Sequence, residues 1–171
     1  MTDLLLGIDA GLTAIKAALF DFAGQTCAVA RVATPLTTTA QGHSEIDMAA
    51  QWQATCQAVH SVLEQADVSG KRIVGIGVSG HGNGVYLLDR KGAPLGPAIT
   101  SMDHRALPVL RGLAPALRVA LRERSLQTLW SGQPGLILRW LRQHDPQRYG
   151  RVGTVFFCKD WLRYCLTGEV A

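Results

Sequence analysis

The first eighty residues are written as short apolar runs divided by polar turns. Residues 4–8 form an apolar run that ends at Asp9, and Ala14–Phe20 and Thr26–Ala33 follow it across turns at Gly11 and at 21–24. Runs this short, joined by tight glycine-bearing turns, predict three consecutive antiparallel strands. The polar stretch 34–47 predicts a loop. Behind it Met48, Trp52, Cys56, Val59 and Leu63 recur at helical spacing, with Asp47 as N-cap and Ser69-Gly70 as the stop. Residues 72–79 are continuously apolar and rich in β-branched side chains, which predicts a strand buried on both faces. Residues 85–89 predict another strand, closed by an Arg90-Lys91-Gly92 turn. The second half reads as mainly helical over 108–123 and 136–143, with a short strand at 154–157. A last helix is expected from a cap at Asp160 to Thr167-Gly168. This order of elements implies an α/β fold with a mixed sheet.

Composition narrows the class. With 171 residues, 47% of them hydrophobic, the chain can bury a real core, and its length favours one domain. Lys and Arg outnumber Asp and Glu by 17 to 13, and most of the excess lies beyond residue 104. Those arginines are dispersed through helix-like patterns without an aromatic-interleaved patch, so they point to a solvated or partner-covered face and away from nucleic acid. The four cysteines have neither CxxC spacing nor the density of a disulfide scaffold, and read as reduced thiols of a cytoplasmic protein. Asp9 cuts the first apolar run too short for a signal peptide, and no stretch has the length of a membrane span, so no membrane association is expected.

Three segments carry candidate chemistry. In the first, an apolar run delivers Asp9 into a turn at Gly11, which leaves through Thr13 and Lys16. Successive N–H groups in a tight turn make an anion-binding concavity, and an acid at a strand end can hold Mg²⁺ through its water shell. A plain β-hairpin that happens to carry an acid and a glycine fits the same pattern. In the second, the apolar run 72–79 leads into His81-Gly82-Asn83-Gly84, two polar side chains spaced by glycines, with room for a small polar ligand or, equally, a solvated turn. The glycines of 75–80 match GxGxxG, but a second strand follows them where a dinucleotide site needs a helix. In the third, Asp103 and Arg105 stand two apart. On a strand they would present an acceptor and a forked donor to a polyol; at a helix start they would be an ordinary pair.

Taken in order, these segments resemble the FGGY carbohydrate kinases. Gly7-Ile8-Asp9-Ala10-Gly11-Leu12-Thr13-Ala14-Ile15-Lys16 is similar to the family's opening GIDxGTTSxK/R turn, and Gly80-His81-Gly82-Asn83-Gly84 to its sugar loop. The segment 97–105 partly matches PAIxWxDxR, and Lys159-Asp160 through Gly168-Glu169 resembles the KDYLxxxLTGE helix. The likeness runs along the whole chain and is nearest the L-xylulose kinase-like branch. It implies an actin-like, ribonuclease H-like N-terminal domain with a mixed sheet and helical insertions, and transfer of the γ-phosphoryl of ATP to a sugar or polyol hydroxyl. Asp9 would organise Mg²⁺ and the phosphates, Gly11, Leu12 and Thr13 would contact the moving group, and Lys16 would neutralise charge. His81, Gly82, Asn83, Asp103 and Arg105 would meet the sugar, a ketopentose such as xylulose, and Trp130 would wall it.

The departures also set expectations. Leu12 and Ala14 replace hydroxyl residues of the family's turn, Ser101 replaces its tryptophan, and His81 and Asn83 differ from its sugar-loop Gln and His. In the family, a threonine-aspartate segment with the catalytic base and then an adenine-binding lobe lie beyond the LTGE helix. The 171 residues stop before both, which implies the N-terminal sugar- and phosphate-binding part of a kinase, inactive alone and prone to self-association through uncovered apolar surface. A non-catalytic sugar-binding or assembly module derived from a kinase half is the alternative. A nuclease of ribonuclease H type would need clustered acids that the sequence does not supply.

Overall fold

The computed structural model describes residues 3–170. The chain divides into two compact units interleaved in sequence. The first holds the described residues up to Leu36, Asp47–His81, and those from Cys158 onward; the second holds Thr37–Ile46 and Gly82–Phe157.

The first unit is built on strands β1 (Leu4–Ala10), β2 (Ala14–Phe20), β3 (Thr26–Ala33) and β6 (Ile73–Gly80), in the order β3-β2-β1-β6. β1 and β2 pair antiparallel, as the short turn requires, and β1 and β6 pair parallel. Strict alternation assigns the faces: Leu4, Leu6, Ile8 and Ala10 are buried together with Ile15, Ala17 and Leu19. Helix α1 (Met48–Gln65) covers β2 and β3, and Asp47 caps it, its Oδ1 accepting from Ala50 N at 2.7 Å. The helix is rotated from the expected face. Met48, Gln51, Thr55, Ala58 and Val62 are the buried positions. Trp52, Cys56 and Val59 flank that seam and line a cleft with Ile76 and Leu166.

β6 also departs from expectation. It is bonded only to β1 among the described residues, and Val74 and Ile76 are 55% and 49% exposed, so it is a sheet edge and not a strand buried on both faces. A continuous apolar run cannot distinguish the two. Helix α6 (Cys158–Thr167) packs on β6 and starts two residues before the expected cap at Asp160, which lies in its first turn. Gly168 ends it at φ +73°, as the Thr-Gly signal suggested.

In the second unit the stretch expected to be a loop contains β4 (Leu36–Thr38) and β5 (Ser44–Ile46), and β5 pairs antiparallel with β8 (Ala98–Ile99). β7 (Tyr86–Asp89) pairs with β9 (Val152–Phe156). The long helix expected over 108–123 is two, α2 (Leu107–Arg111) and α3 (Pro115–Ser125). Ala114, forced extended by the proline that follows it, divides them. α4 (Pro134–His144) and α5 (Pro146–Gly150) complete the unit, whose main core joins Val85, Leu87 and Ile99 to Ile137 and Leu141 of α4. No helix among the described residues is long and apolar enough to cross a membrane.

Candidate active site

In the first unit the β1–β2 turn carries the expected phosphate-side residues. Asp9 and Lys16 face each other across the hairpin and form an ion pair at 3.5 Å, with side chains 48% and 43% exposed. Gly11 closes the turn, its N–H donating to Ala14 O at 3.0 Å, and a side chain there would press on that same oxygen. Thr34, just after β3, braces the turn: its hydroxyl donates to Gly11 O at 2.8 Å and its N–H to Thr13 O at 3.2 Å. With the Gly11 N–H spent, the N–H groups of Leu12 and Thr13 and the exposed Thr13 hydroxyl are the turn's remaining donors. Beside the turn, Gly7, Asp9, Lys16, Gly77 and Ser79 line a cleft of about 490 Å³ on the sheet's open face.

Parallel pairing brings the start of the expected sugar loop to this turn. Asp9 stands opposite Ser79 and Ala10 opposite Gly80, and the N–H of His81 donates to Ala10 O at 2.9 Å. The two loops therefore leave adjacent strands at the same end of the sheet.

The rest of the expected sugar-side residues lie in the second unit, and glycines draw their segments together. Asn83 holds φ +59° and Gly84 φ +68°, left-handed conformations that bend the loop. Gly84 donates to Gly132 O at 3.0 Å, and a Cβ on it would strike the Ile99 carbonyl oxygen. A Cβ on Gly132 would overlap the Ser101 carbonyl, and the Ser131 hydroxyl donates to Asp103 O at 2.8 Å. Asn83, the 99–103 stretch and the half-buried Trp130 thus occupy one neighbourhood. Ser131 and Gly132 were not singled out from the sequence, since a Ser-Gly pair between helices reads as any turn. A cleft of about 440 Å³ opens beside Asn83, walled by Leu113, Leu117, Leu121 and Leu129 with Gln133 and Arg139.

Asp103 and Arg105 differ from the expected open acceptor and donor. Asp103 is fully buried and its carboxylate is committed: Oδ1 accepts from the backbone N–H and Nε of Arg105, both at 2.8 Å, and Oδ2 from Ser44 N at 2.7 Å and Arg105 Nη2 at 2.9 Å. Arg105 also donates to Glu45 Oε1 at 2.6 Å and lies 5.4 Å from the Trp140 ring centre. Burial opposes the guanidinium charge, but its hydrogen bonds to Asp103 and Glu45, with the charges of those acids, outweigh it and hold the pKa above its ordinary value. The pair ties β5 to the segment after β8. Both oxygens of the Asp103 carboxylate are engaged within the fold.

A family model described as the FGGY family of carbohydrate kinases, N-terminal domain, matches residues 4–171. The chain belongs to that family. It is 42% identical over 166 residues to a probable L-xylulose kinase of Pasteurella multocida, covering 96% of this chain and 34% of that protein. It is 41% identical over 173 residues to the L-xylulose/3-keto-L-gulonate kinase of Escherichia coli, covering 98% and 34%. The crystal structure of a xyloylose kinase from Brucella ovis superposes with a TM-score of 0.87 at 29% identity, over 97% of this chain and 34% of that one. The fold is the α/β, actin-like N-terminal domain that the motifs implied. The chain spans about a third of the length of the curated relatives it matches.

Proposed function

We propose that this FGGY domain supplies the phosphate turn and the sugar loop of an ATP-dependent carbohydrate kinase acting on a ketopentose of the xylulose type or a related polyol. The observation that carries the reading is the parallel β1–β6 register, with His81 N–H on Ala10 O, which sets the two loops at neighbouring strand ends. The L-xylulose kinases among the relatives support the choice of sugar.

Phosphoryl transfer asks a protein for positioning and charge stabilisation more than for covalent chemistry. The Leu12 and Thr13 N–H groups and the Thr13 hydroxyl would bind phosphate oxygens, with Lys16 beside them as counter-charge. No group of three or more His, Cys, Asp or Glu side chains gathers as a metal cage among the described residues, so Asp9 is the candidate carboxylate here. That fits Mg²⁺ held by one carboxylate together with phosphates and water, and does not fit an all-protein site. When bound, the ion would neutralise charge on the phosphates. His81, Gly82 and Asn83 would meet the sugar hydroxyls, Trp130 would offer an apolar wall, and Asp103 and Arg105 would hold that wall in place.

The test is an amide-resolved NMR titration of the 171-residue chain with Mg·ATP and, separately, with L-xylulose. Shifts at Leu12, Thr13 and Lys16 with the nucleotide and at His81, Gly82 and Asn83 with the sugar are expected; silence at both sets would overturn the reading. In a coupled ADP-release assay over pentuloses and polyols this chain alone is expected to give no significant turnover, and clear sugar-dependent turnover would refute that.

A further inference from the structure

Gln51 lies on α1, far in sequence from either loop, and nothing in its motif context marks it. It is nonetheless fully buried, in a helix whose seam is otherwise almost apolar. Its Nε2 donates to the Cys158 sulfur at 3.4 Å, and its Oε1 meets no hydrogen-bond partner. The Cys158 thiol in turn donates to Ala10 O at 3.7 Å, the same carbonyl that receives the His81 N–H. Gly80 fits against this thiol so closely that a Cβ there would come within 2.9 Å of the sulfur. A single chain of contacts thus runs from α1 through the start of α6 to the point where both loops leave the sheet.

We infer that Gln51 is a positioning residue that, through the Cys158 thiol, holds the Ala10 peptide and with it the spacing of the phosphate turn from His81, at a cost in fold stability. A buried carboxamide offers two donor hydrogens and a two-lone-pair acceptor. Here one end is spent on a sulfur, which is a weak partner, and the other on nothing. Turning the amide over would only exchange which end is orphaned. An unsatisfied buried polar atom carries its full desolvation penalty, so a side chain of similar volume without the amide would serve the core better. What the amide supplies and an apolar replacement lacks is a donor that orients the thiol toward Ala10 O. The carbonyl of Ala10 belongs to the peptide joining it to Gly11, and Asp9 immediately precedes it, so a small rotation there displaces the carboxylate and the turn together. Misplacement on that scale weakens binding without unfolding the protein.

This inference rests on the proposed kinase reading, and two readouts separate their fates. Gln51→Met keeps the length and helix propensity and deletes the amide. Expected are a melting temperature unchanged or raised by about 2–4 °C and affinity for Mg·ATP or L-xylulose about fivefold weaker, read by the same NMR titration. A core-packing role predicts the reverse, a lower melting temperature with unchanged affinity, and that result would overturn the proposal. So would equal affinities of wild type and variant. If the wild-type chain binds neither probe, the kinase reading itself fails, and the inference falls with it.

Cys158 provides a second, independent arm. Cys158→Ser keeps both a donor for Ala10 O and an acceptor for Gln51 and should retain binding, whereas Cys158→Ala should weaken it as Gln51→Met does. Because the two residues act through one contact chain, the double variant should bind no more weakly than Cys158→Ala alone. Additive losses would show that they act separately and sink the proposal.

Discussion

The two acid–cation pairs that the sequence offers as candidate chemistry differ in almost every physical respect. Asp9 and Lys16 touch at 3.5 Å across a hairpin with nearly half of each side chain in solvent. Asp103 and Arg105 are buried, joined through both carboxylate oxygens, and extended to Glu45, Ser44 and the Trp140 ring. The first pair is loosely held and keeps oxygens and protons to offer a ligand. In the second every oxygen of the acid is spent inside the fold. Two charges near a site are therefore not equally candidates for chemistry; the one whose hydrogen-bonding capacity is unspent is the one that can act. The units follow the same contrast in bulk, with six Lys and Arg against eight Asp and Glu in the first and eleven against five in the second.

The largest effect should come from breaking the buried pair. Arg105→Ala leaves Asp103 buried without its counter-charge, and a loss of about 3–5 kcal/mol in urea unfolding is expected. Because the Arg105 pKa is held above its ordinary value, its contribution is complete throughout the range below that value and is lost only in strong alkali; a loss at neutral pH would contradict this. Next, Gly84→Ala forces a side chain into a left-handed residue against the Ile99 carbonyl, at about 2–4 kcal/mol. At the exposed pair the order of consequences inverts. Lys16→Ala should change stability by no more than about 1 kcal/mol, and Asp9→Asn by as little, while Asp9→Asn should abolish the Mg²⁺-dependent part of ATP binding. An Asp9→Asn chain that binds Mg·ATP like wild type would remove Asp9 from the site.

How much of this could be read from the residues follows from the same physics. The β1–β3 meander was readable because its alternation and its turns are local, and β2 and β3 have the bounds that pattern predicted. The Asp47 cap and the Gly168 stop were readable for the same reason. Burial was not, because it depends on partners distant in sequence. Arg72 to Ser79 reads as a core strand, yet among the described residues β6 is bonded on one side only. The face of α1 is likewise set by the sheet it meets: Gln51, Thr55 and Ala58 are buried there, and Trp52 and Cys56, one position on, are not. The residues 34–47 passed for a loop because a three-residue strand such as β5 acquires its identity from β8, more than fifty residues away. Asp103 was found by its motif, but its closed environment depends on Ser44 and Glu45, which no spacing rule connects to it.

The smallest predicted effect carries the rule from carboxylates to thiols. Cys27 is exposed, Cys158 is buried, and Cys56 and Cys165 lie between. Burial, with a lesser contribution from Cys56, pushes the Cys165 thiol up to about 12 from an ordinary 9.0. A thiol raised in this way contributes stability that is complete below the unfolded pKa, because only there are both states protonated. As pH rises past about 9 the unfolded chain ionises first, so stability should fall gradually until the folded thiol ionises near 12. Cys165→Ala should flatten that decline without changing stability near neutrality by more than a core truncation would, and an unchanged alkaline slope would remove Cys165 as its cause. At pH 8, Ellman's reagent should modify Cys27 first and Cys165 far more slowly, since the thiolate and not the thiol attacks. If Cys165 reacted as fast as Cys27, burial would not be what decides which polar groups of this domain are available.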